Sequence, residues 1–319
     1  MKRILICGAT GFIGRNLTEH FASIAGYEVH AVSHERPPFR IDNVIWHQGD
    51  LRMPDDVNRL VKDVDIIVQA AATTSGSRDI VARPHIHVTD NAIMNSLLLR
   101  AAFDQHIKHF VFFSCTVMYP SSDEALTESD FDSSVELHPR YFGVGWTKVY
   151  VEKMCEFFST MGRTRHTVIR HSNIYGPHDK FDLKKSHVFG ASVAKVMTAR
   201  EHVVVWGTGE EQRDLLHVED LIRFVEYAID RQDTPHEVFT CGLGIAIAIG
   251  KLVKTMVRLS RKPLEIRYDL SQPTIKTSLY LDCSKAKSIL GWEPRVDLED
   301  GIRRTLLWYR ENVLGNTQK

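Results

Sequence analysis

Three glycines near the start of the chain have the spacing of a phosphate-binding loop. They stand in Gly8-Ala-Thr-Gly11-Phe-Ile-Gly14, which separates a short apolar run from an amphipathic one. The first glycine allows a tight turn, the second lets the backbone approach a pyrophosphate, and the third allows close contact between strand and helix. The start of the following helix would then face the anion. The predicted dinucleotide-binding residues of this loop are Gly8, Thr10, Gly11, Phe12, Ile13 and Gly14.

The residues after the second predicted strand bear on which nicotinamide cofactor binds. That strand ends at Ser33, and His34, Glu35 and Arg36 follow. An acidic residue at the strand end binds the ribose 2′-hydroxyl of NAD, whereas a nearby arginine favours the 2′-phosphate of NADP. Ser33 and Arg36 therefore favour NADP(H), with NAD(H) as the alternative if Glu35 reaches the ribose. A solvent-exposed Arg36 without a ligand is the other interpretation.

Two further segments complete the predicted cofactor site. Asp50 and Leu51 follow the third predicted strand, where the carboxylate of Asp50 can accept a hydrogen bond from the adenine amino group. Ala70, Ala71 and Ala72 follow the fourth predicted strand. Their small side chains would let the cofactor lie against the backbone.

Short apolar runs alternate with amphipathic stretches through the first half of the chain, and these elements would position the loops. The predicted strands are residues 4–7, 29–33, 44–47, 65–71, 109–114 and 167–171. Their β-branched, almost continuous apolar character is typical of parallel strands that are buried on both faces. Such strands alternating with helices predict an α/β fold, namely a Rossmann doubly wound parallel sheet.

The composition of the chain changes after about Ser172, where prolines, histidines and glycines become frequent. Helices are predicted near residues 221–229, 249–259, 284–290 and 298–309. We predict a smaller, discontinuous C-terminal α/β substrate domain. The cofactor domain would comprise residues 1–172 plus about 217–240, and the substrate domain residues 173–216 and 241–319.

The charge balance bears on the partners of the protein. The chain has 40 Lys and Arg residues against 40 Asp and Glu residues, which argues against nucleic acid as a partner because that binding needs a basic excess. No apolar run is long enough to span a membrane, and the start of the chain does not resemble a signal peptide. The five cysteines are scattered without a CxxC pair, so we expect free thiols, a cytoplasmic location and no metal site.

Motifs along almost the whole chain resemble the extended short-chain dehydrogenase/reductases, which include nucleotide-sugar epimerases, dehydratases and reductases. The signals occur in the order of that family. Within the family, three later segments resemble the GDP-L-fucose synthases: Tyr175-Gly-Pro-His178-Asp-x-Phe181, Ser186-His187-Val188 and Val205-Trp206-Gly207-x-Gly209. The family motifs are the glycine loop, Gly49-Asp50-Leu51, Ala70-Ala71-Ala72, Asn91, Lys148, Arg170-xx-Asn173-x-Tyr175-Gly176-Pro177, Arg213-Asp-Leu-Leu-His217-Val-x-Asp220 and Leu290-Gly291-Trp292.

The resemblance implies a role for individual residues. Lys148 would hold the nicotinamide ribose, Asn91 would support the helix that carries Lys148, and His187 would be an acid or base in epimerisation. His171 would belong to the cofactor site. The substrate, a nucleotide sugar with GDP favoured as the nucleotide, would contact Asn173, Val188, Trp206 and Arg213. The resemblance also implies a homodimer that forms through two helices of each subunit.

The sequence departs from the family at the residues that move protons. The family motif is Tyr-xxx-Lys, and here Val144 occupies the tyrosine position before Lys148. The hydroxyl residue that normally assists this tyrosine falls on Cys115, and the cysteine used in epimerisation falls on Val117. Loss of a general acid costs about 10² to 10⁴ in rate. The candidate replacements are Cys115, Thr116, Tyr141 and His187, of which the imidazole titrates closest to neutral pH.

Two functions follow from these observations. The first is a nicotinamide-dependent oxidoreductase or epimerase that acts on a nucleotide sugar, with hydride exchange at a ring carbon such as C4. In it, the catalytic residues would be Lys148, His187, Cys115 and Thr116. The second is a regulatory protein that keeps the cofactor and sugar pockets without the chemistry, which the valines at 144 and 117 favour.

Overall fold

The protein is described here by a computed structural model, in which residues 1–73, 84–183, 186–272 and 278–315 are placed. These residues form thirteen strands and nine α-helices. The strands are β1 (Lys2–Cys7), β2 (Tyr27–Ser33), β3 (Val44–Gln48), β4 (Ile66–Gln69), β5 (His109–Phe113), β6 (Arg165–His171), β7 (Asn173–Tyr175), β8 (His202–Trp206), β9 (Gln212–Arg213), β10 (Leu215–His217), β11 (His236–Cys241), β12 (Ile247–Ala248) and β13 (Glu265–Asp269). The helices are α1 (Phe12–Ser23), α2 (Pro54–Leu60), α3 (Pro84–Asp104), α4 (Phe142–Met161), α5 (Val188–Thr198), α6 (Val218–Arg231), α7 (Ile249–Ser260), α8 (Ser284–Leu290) and α9 (Leu298–Tyr309).

Seven of the strands form one parallel sheet in the order β3-β2-β1-β4-β5-β6-β11. The order reverses between β1 and β4, so the carboxyl ends of these two strands flank a crevice. Ligands of open α/β sheets bind at such a reversal. The predicted Rossmann architecture is therefore confirmed.

Helices cover both faces of this sheet. On one face, Leu17 and Phe21 of α1 pack with Phe224 of α6 in a cluster that also contains Trp292, and all four side chains are fully buried. On the other face, Leu98 of α3 packs in a second buried cluster with residues of β5 and α4. Apolar strands need cover on both sides, which explains why the strand sequences show no polar alternation.

The shorter strands and the later helices build a smaller cluster beside the sheet. Tyr175, at the end of β7, stacks on Phe189 of α5 with ring centroids 4.0 Å apart. Both rings are buried with residues of β8, α7 and α9. Gly301 of α9 passes so close to Tyr175 that an added Cβ would lie 2.1 Å from the phenolic oxygen. This packing joins the short strands and the later helices into one buried cluster.

Some predicted elements differ from those observed. The fourth strand ends at Gln69 rather than at residue 71, because the amide of Ala71 is bonded to the Gln69 side chain and the chain turns away. The edge strand β11 and the short helix α2 were not predicted. The helices predicted at 284–290 and 298–309 have those bounds in the structure.

None of the helices over the described residues is both long and apolar enough to cross a membrane.

Candidate active site

The glycine loop connects β1 to α1 at the reversal point of the sheet. Gly8 has a left-handed backbone with φ of 72°, and a Cβ there would lie 2.6 Å from the Cα of Ala71. A Cβ on Gly14 would lie 2.1 Å from the carbonyl oxygen of Gly8. Helix α1 starts at Phe12 with no side-chain cap among the described residues and no acidic residue in its first turn. Its amide groups and dipole therefore favour an anion at this end.

A groove lies where the adenosine half of a dinucleotide is expected, beyond the carboxyl ends of β2 and β3. Residues 33–38 and 46–48 line this groove, which has a volume of about 410 Å³. Ser33 is buried, and its hydroxyl donates to the carbonyl of His47 at 3.3 Å. Arg36 is exposed on the wall of the groove. The structure thus places the two residues that bear on cofactor choice on one groove.

Asp50 already has a protein partner. Arg52 donates to its carboxylate from Nε at 2.9 Å and from Nη2 at 2.8 Å, and this pairing lowers the pKa of Asp50 to about 2. The same guanidinium reaches Asp90 of α3 at 3.1 Å. Leu51 beside it is buried in the core under α3. Contact between Asp50 and adenine stays a prediction.

The segment after β4 is held against the glycine loop by α3. Ala71 contacts Gly8 as described. The backbone amide of Thr73 donates to Oδ1 of Asn91 at 3.0 Å, and Nδ2 of Asn91 donates to the carbonyl of Thr73 at 3.1 Å. Asn91 thus fixes the segment that follows Ala72, and its support of the helix that carries Lys148 stays a prediction.

Lys148 lies on α4 and reaches the carboxyl end of β5. Its Nζ donates to the carbonyl of Phe113 at 2.6 Å and lies 4.7 Å from the ring centroid of Phe112. Burial lowers the pKa of Lys148, while Cys115 and Glu152 oppose this shift. The ammonium group is therefore fixed close to the thiol of Cys115 at the edge of the sheet where the glycine loop also lies.

A buried ion pair behind Lys148 was not anticipated from the sequence. Glu152, one helical turn further along α4, binds Arg170 of β6 with an Nη2–Oε2 distance of 2.7 Å, and both side chains are less than a tenth exposed. Ser114 also donates to Glu152, and Arg170 donates to the hydroxyl of Tyr119 at 2.8 Å. Glu152 follows Lys148 by four residues, and this spacing was the signal in the sequence that the two side chains are neighbours on α4. The partner Arg170 could not be found in this way because it lies on another element.

The positions that handle protons in related enzymes are apolar here. Val144 is half-buried on α4, and a Cβ on its neighbour Gly145 would lie 3.8 Å from the Cγ2 of Val117. The start of α4 is thus packed close to Val117. Burial raises the pKa of the Cys115 thiol, against the effects of Lys148 and of the Val117 amide. Thr116 is half-buried beside it, and its carbonyl accepts from the amide of Tyr119.

Tyr141 ends a short 3-10 helix and directly precedes α4. It is half-buried, and burial raises the pKa of its phenol. The charges of Arg213 and Arg140 oppose this rise, and Cys115 adds to it. The phenol therefore lies within electrostatic range of both the end of β5 and the strand β9.

Two histidines face the same region from the other side. The Nδ1 atom of His171 lies 2.7 Å from the carbonyl of Ser172, and burial lowers its pKa to about 4. The charges of Lys148 and His187 lower it further. His187 directly precedes α5, whose first residue is Val188. Burial, with a contribution from Lys180, lowers the pKa of His187, so its imidazole is neutral at neutral pH.

Three of the four predicted substrate residues lie on short strands, and the fourth, Val188, begins α5. Asn173 of β7 donates to the carbonyl of Asp214 at 3.3 Å. Arg213 of β9 is half-buried, and burial lowers the pKa of its guanidinium. Trp206, the last residue of β8, is 49% exposed and lies under the ammonium of Lys195 at 5.0 Å. Arg213 lies within electrostatic range of Tyr141, while Trp206 lies on the separate β8–β13 pair.

Comparison with known proteins agrees with this architecture. The sequence model of the NAD dependent epimerase/dehydratase family matches residues 4–242. The GDP-L-colitose synthase of Yersinia pseudotuberculosis is 28% identical over 315 residues, covering 96% of this chain and 97% of that protein. The GDP-L-fucose synthase of Azorhizobium caulinodans is 27% identical, covering 99% and 97%. A UDP-glucose 4-epimerase structure from Thermotoga maritima superposes with a TM-score of 0.87 at 24% identity, covering 98% and 99% of the two chains.

Proposed function

Because the chain belongs to the NAD dependent epimerase/dehydratase family, we propose that it is a nicotinamide-dependent oxidoreductase or epimerase that acts on a nucleotide sugar. The carrying observation is that the anion-binding loop and the fixed ammonium of Lys148 lie at the same edge of one sheet. GDP is the favoured nucleotide because the relatives from Yersinia and Azorhizobium are named for GDP-sugars.

Some of these residues would bind the cofactor and the substrate, and others would take part in the chemistry. The amides of the glycine loop would bind the pyrophosphate, and the ammonium of Lys148 would bind the nicotinamide ribose. When bound, the nicotinamide supplies or accepts a hydride at a ring carbon of the sugar. Arg213 would pair with the diphosphate of the substrate, since its planar fork matches phosphate oxygens. In an epimerisation, neutral His187 would remove a proton next to a sugar carbonyl.

We propose NADP(H) as the preferred cofactor. Ser33 offers no carboxylate to repel a 2′-phosphate, and Arg36 on the same groove wall supplies a positive charge. We also retain the division into a cofactor domain, 1–172 plus about 217–240, and a substrate domain, 173–216 and 241–319.

A homodimer is proposed through α3 and α4. The two helices pack together, with Ser96 and Tyr150 hydroxyls 3.3 Å apart. Large apolar side chains on them remain 46 to 57% exposed: Ile93, Tyr150, Phe157 and Met161. Pairing this surface with its copy would bury those side chains. Light scattering of the purified protein measures the mass, and a monomer at all concentrations contradicts the dimer.

The test of the activity is direct. The purified protein is mixed with reduced cofactor and GDP-4-keto-6-deoxymannose, and the absorbance of the reduced nicotinamide is followed. Matched reactions with the UDP- and dTDP-linked sugars report on the nucleotide. Falling absorbance with a nucleotide sugar supports the proposal. No turnover with any of them by a protein that binds the cofactor contradicts it.

The apolar residues Val144 and Val117, at two positions that would move protons, favour the second candidate, a regulatory protein without catalysis. Val144→Tyr distinguishes the two. A large gain of reductase activity indicates a site that had lost its acid. An unchanged or lower rate in an active protein indicates chemistry that uses a different acid.

A further inference from the structure

We propose that Phe39 is a positioning residue that holds Arg36 on the wall of the adenosine groove and so sets the preference for NADP(H) over NAD(H). The adenosine groove is the cavity of about 410 Å³ that residues 33–38 and 46–48 line. Phe39 is not among these residues, so it would act through Arg36 and not by touching the cofactor. This inference rests on the proposed cofactor preference and names the side chain that makes Arg36 effective.

The loop that carries Arg36, residues 34–43, connects β2 directly to β3. In the described part of the chain, none of residues 35–40 makes a hydrogen bond. Every residue from His34 to Arg40 is exposed except Phe39, which is half-buried. Because a segment with few buried contacts and no hydrogen bonds opens easily, the ring of Phe39 is the main anchor of residues 35–40.

Phe39 contacts two side chains of the predicted cofactor site. Its ring meets that of Trp46 edge to face, with centroids 5.1 Å apart, and Trp46 of β3 lines the groove. The guanidinium of Arg15 lies 4.3 Å from the centroid of the Phe39 ring, which is within cation–π range. Arg15 lies in the first turn of α1, and Glu19 binds it with an Nε–Oε1 distance of 2.9 Å. The ring thus ties the loop of Arg36 both to the groove and to the helix that follows the glycine loop.

Two prolines couple the position of Phe39 to that of Arg36. Pro37 and Pro38 separate the two residues. Each proline fixes its own φ at about −65°, and a residue that precedes a proline is restricted to extended conformations. Arg36 and Pro37 both precede a proline, so the backbone of this segment has little freedom. An extended segment of this kind spans about 9 Å from residue 36 to residue 39, and a fixed Phe39 therefore fixes the backbone of Arg36.

The position of this loop bears on cofactor choice because Glu35 and Arg36 both line the groove. A carboxylate accepts a hydrogen bond from the 2′-hydroxyl of NAD, whereas a guanidinium binds the 2′-phosphate of NADP. A loop released from Phe39 would have to be ordered again when Arg36 binds the phosphate. The cost of that ordering falls on NADP(H) alone, since NAD(H) has no 2′-phosphate for Arg36 to bind.

The main test is Phe39→Ala, with the Kd of NADPH and that of NADH measured by fluorescence titration. We expect the Kd of NADPH to rise about three- to tenfold, which is the cost of ordering a side chain on binding, and the Kd of NADH to stay unchanged. Phe39→Tyr keeps the ring and should keep the wild-type ratio of the two Kd values. An equal rise for both cofactors, or no rise for either, overturns the inference.

The matched control is Ile45→Ala. It removes an apolar side chain that is 46% exposed from the strand that carries Trp46, at a position outside the groove. Its ratio of Kd values should equal that of the wild type. A ratio lowered as far as in Phe39→Ala shows that any loss of apolar surface near β3 has the effect, which also overturns the inference.

A second measurement needs no cofactor. Trypsin cleaves after Arg40 but not after Arg36, because Pro37 follows Arg36. Cleavage after Arg40 requires this loop to leave its packed position, so Phe39→Ala should be cut there several times faster than the wild type and Phe39→Tyr at the wild-type rate. An equal rate for Phe39→Ala and the wild type shows that the ring does not hold the loop and overturns the inference.

The double variant Arg36→Ala/Phe39→Ala tests whether Phe39 acts through Arg36. If it does, the ratio of Kd values in the double variant equals that of Arg36→Ala alone, whereas independent effects multiply. Multiplied effects overturn the inference. If Arg36→Ala leaves the wild-type ratio unchanged, the proposed cofactor preference fails and this inference fails with it. If Arg36→Ala lowers the preference for NADPH and Phe39→Ala does not, this inference fails alone.

Discussion

Acid should destabilise the protein because two uncharged histidines are buried at the amino-terminal edge of the central sheet. His109 begins β5 and His166 is the second residue of β6, and neither is more than 1% exposed. Burial lowers the pKa of each imidazole to about 3. One nitrogen of each ring, Nδ1 of His109 and Nε2 of His166, has no hydrogen-bond partner among the described residues. A proton added to that nitrogen would therefore find no acceptor there.

The magnitude follows from the pKa difference between the two states. In the unfolded chain a histidine has a pKa of about 6.5, so below that pH the unfolded state binds a proton that the folded state does not. The stabilising contribution is therefore intact above about pH 6.5 and is lost as the pH falls towards 3. At about pH 5 each histidine costs about 2 kcal/mol, and the pair about 4 kcal/mol. The free energy of unfolding of a typical domain is only about 5–15 kcal/mol.

Urea denaturation at about pH 7.5 and at about pH 5 measures this loss. The double variant His109→Gln/His166→Gln should lose about 4 kcal/mol of the pH dependence, because glutamine does not titrate. The control is His202→Gln on the exposed face of β8, which should keep the wild-type dependence. A double variant whose unfolding free energy falls with pH as steeply as that of the wild type refutes the assignment of the effect to these two rings.

Three shorter predictions concern the binding site and its support. Gly14→Ala should abolish cofactor binding in a fluorescence titration, because the added Cβ would lie 2.1 Å from the carbonyl of Gly8; retained affinity would contradict the packing of the loop. Arg36→Ala should lower the preference for NADPH over NADH by about tenfold or more, measured as a ratio of Kd values, and an unchanged ratio removes Arg36 from the phosphate site. Glu152→Gln should lower the free energy of unfolding by about 3 kcal/mol or more, since Arg170 is left buried without its carboxylate; a wild-type urea midpoint would show that the pair contributes no net stability.

The parts of the fold that were predicted correctly are those that depend on neighbours in sequence. The glycine loop is predictable because its turn, its glycines and the following helix are contiguous between Gly8 and Ser23. Strands such as β5 are recognisable because burial on both faces requires an uninterrupted apolar run. Helix α9 was predicted with its observed bounds, because Asp297 caps it and the apolar spacing is regular.

The remaining parts depend on contacts between distant residues. The edge strand β11 has a mixed sequence, His-Glu-Val-Phe-Thr-Cys, and is a strand because β6 pairs with it. The ion pair of Glu152 joins two elements, and the approach of Tyr141 to Arg213 joins residues more than seventy positions apart. The bond between Asn91 and Thr73 was not predicted, because nothing in the local sequence specifies it.

A single buried carboxylate ties together three distant stretches of the chain. Asp214 accepts the amides of Leu243 at 2.7 Å, Gly244 at 3.1 Å and Leu281 at 3.1 Å. Burial raises its pKa to about 6, so these amides are needed to hold it as an anion. Trp292 likewise fills the core between sheet and helices, its ring 5.0 Å from Phe224.

The order of synthesis therefore matters for this protein. A nascent chain that stops before Leu281 lacks one of the three amides that bind the buried carboxylate of Asp214, and one that stops before Trp292 lacks the cover over Phe224. The amino-terminal half is released from the ribosome first. Its hydrophobic core is complete only after Trp292, close to the last tenth of the chain, has been added. During that interval the apolar face of the sheet is exposed to other chains.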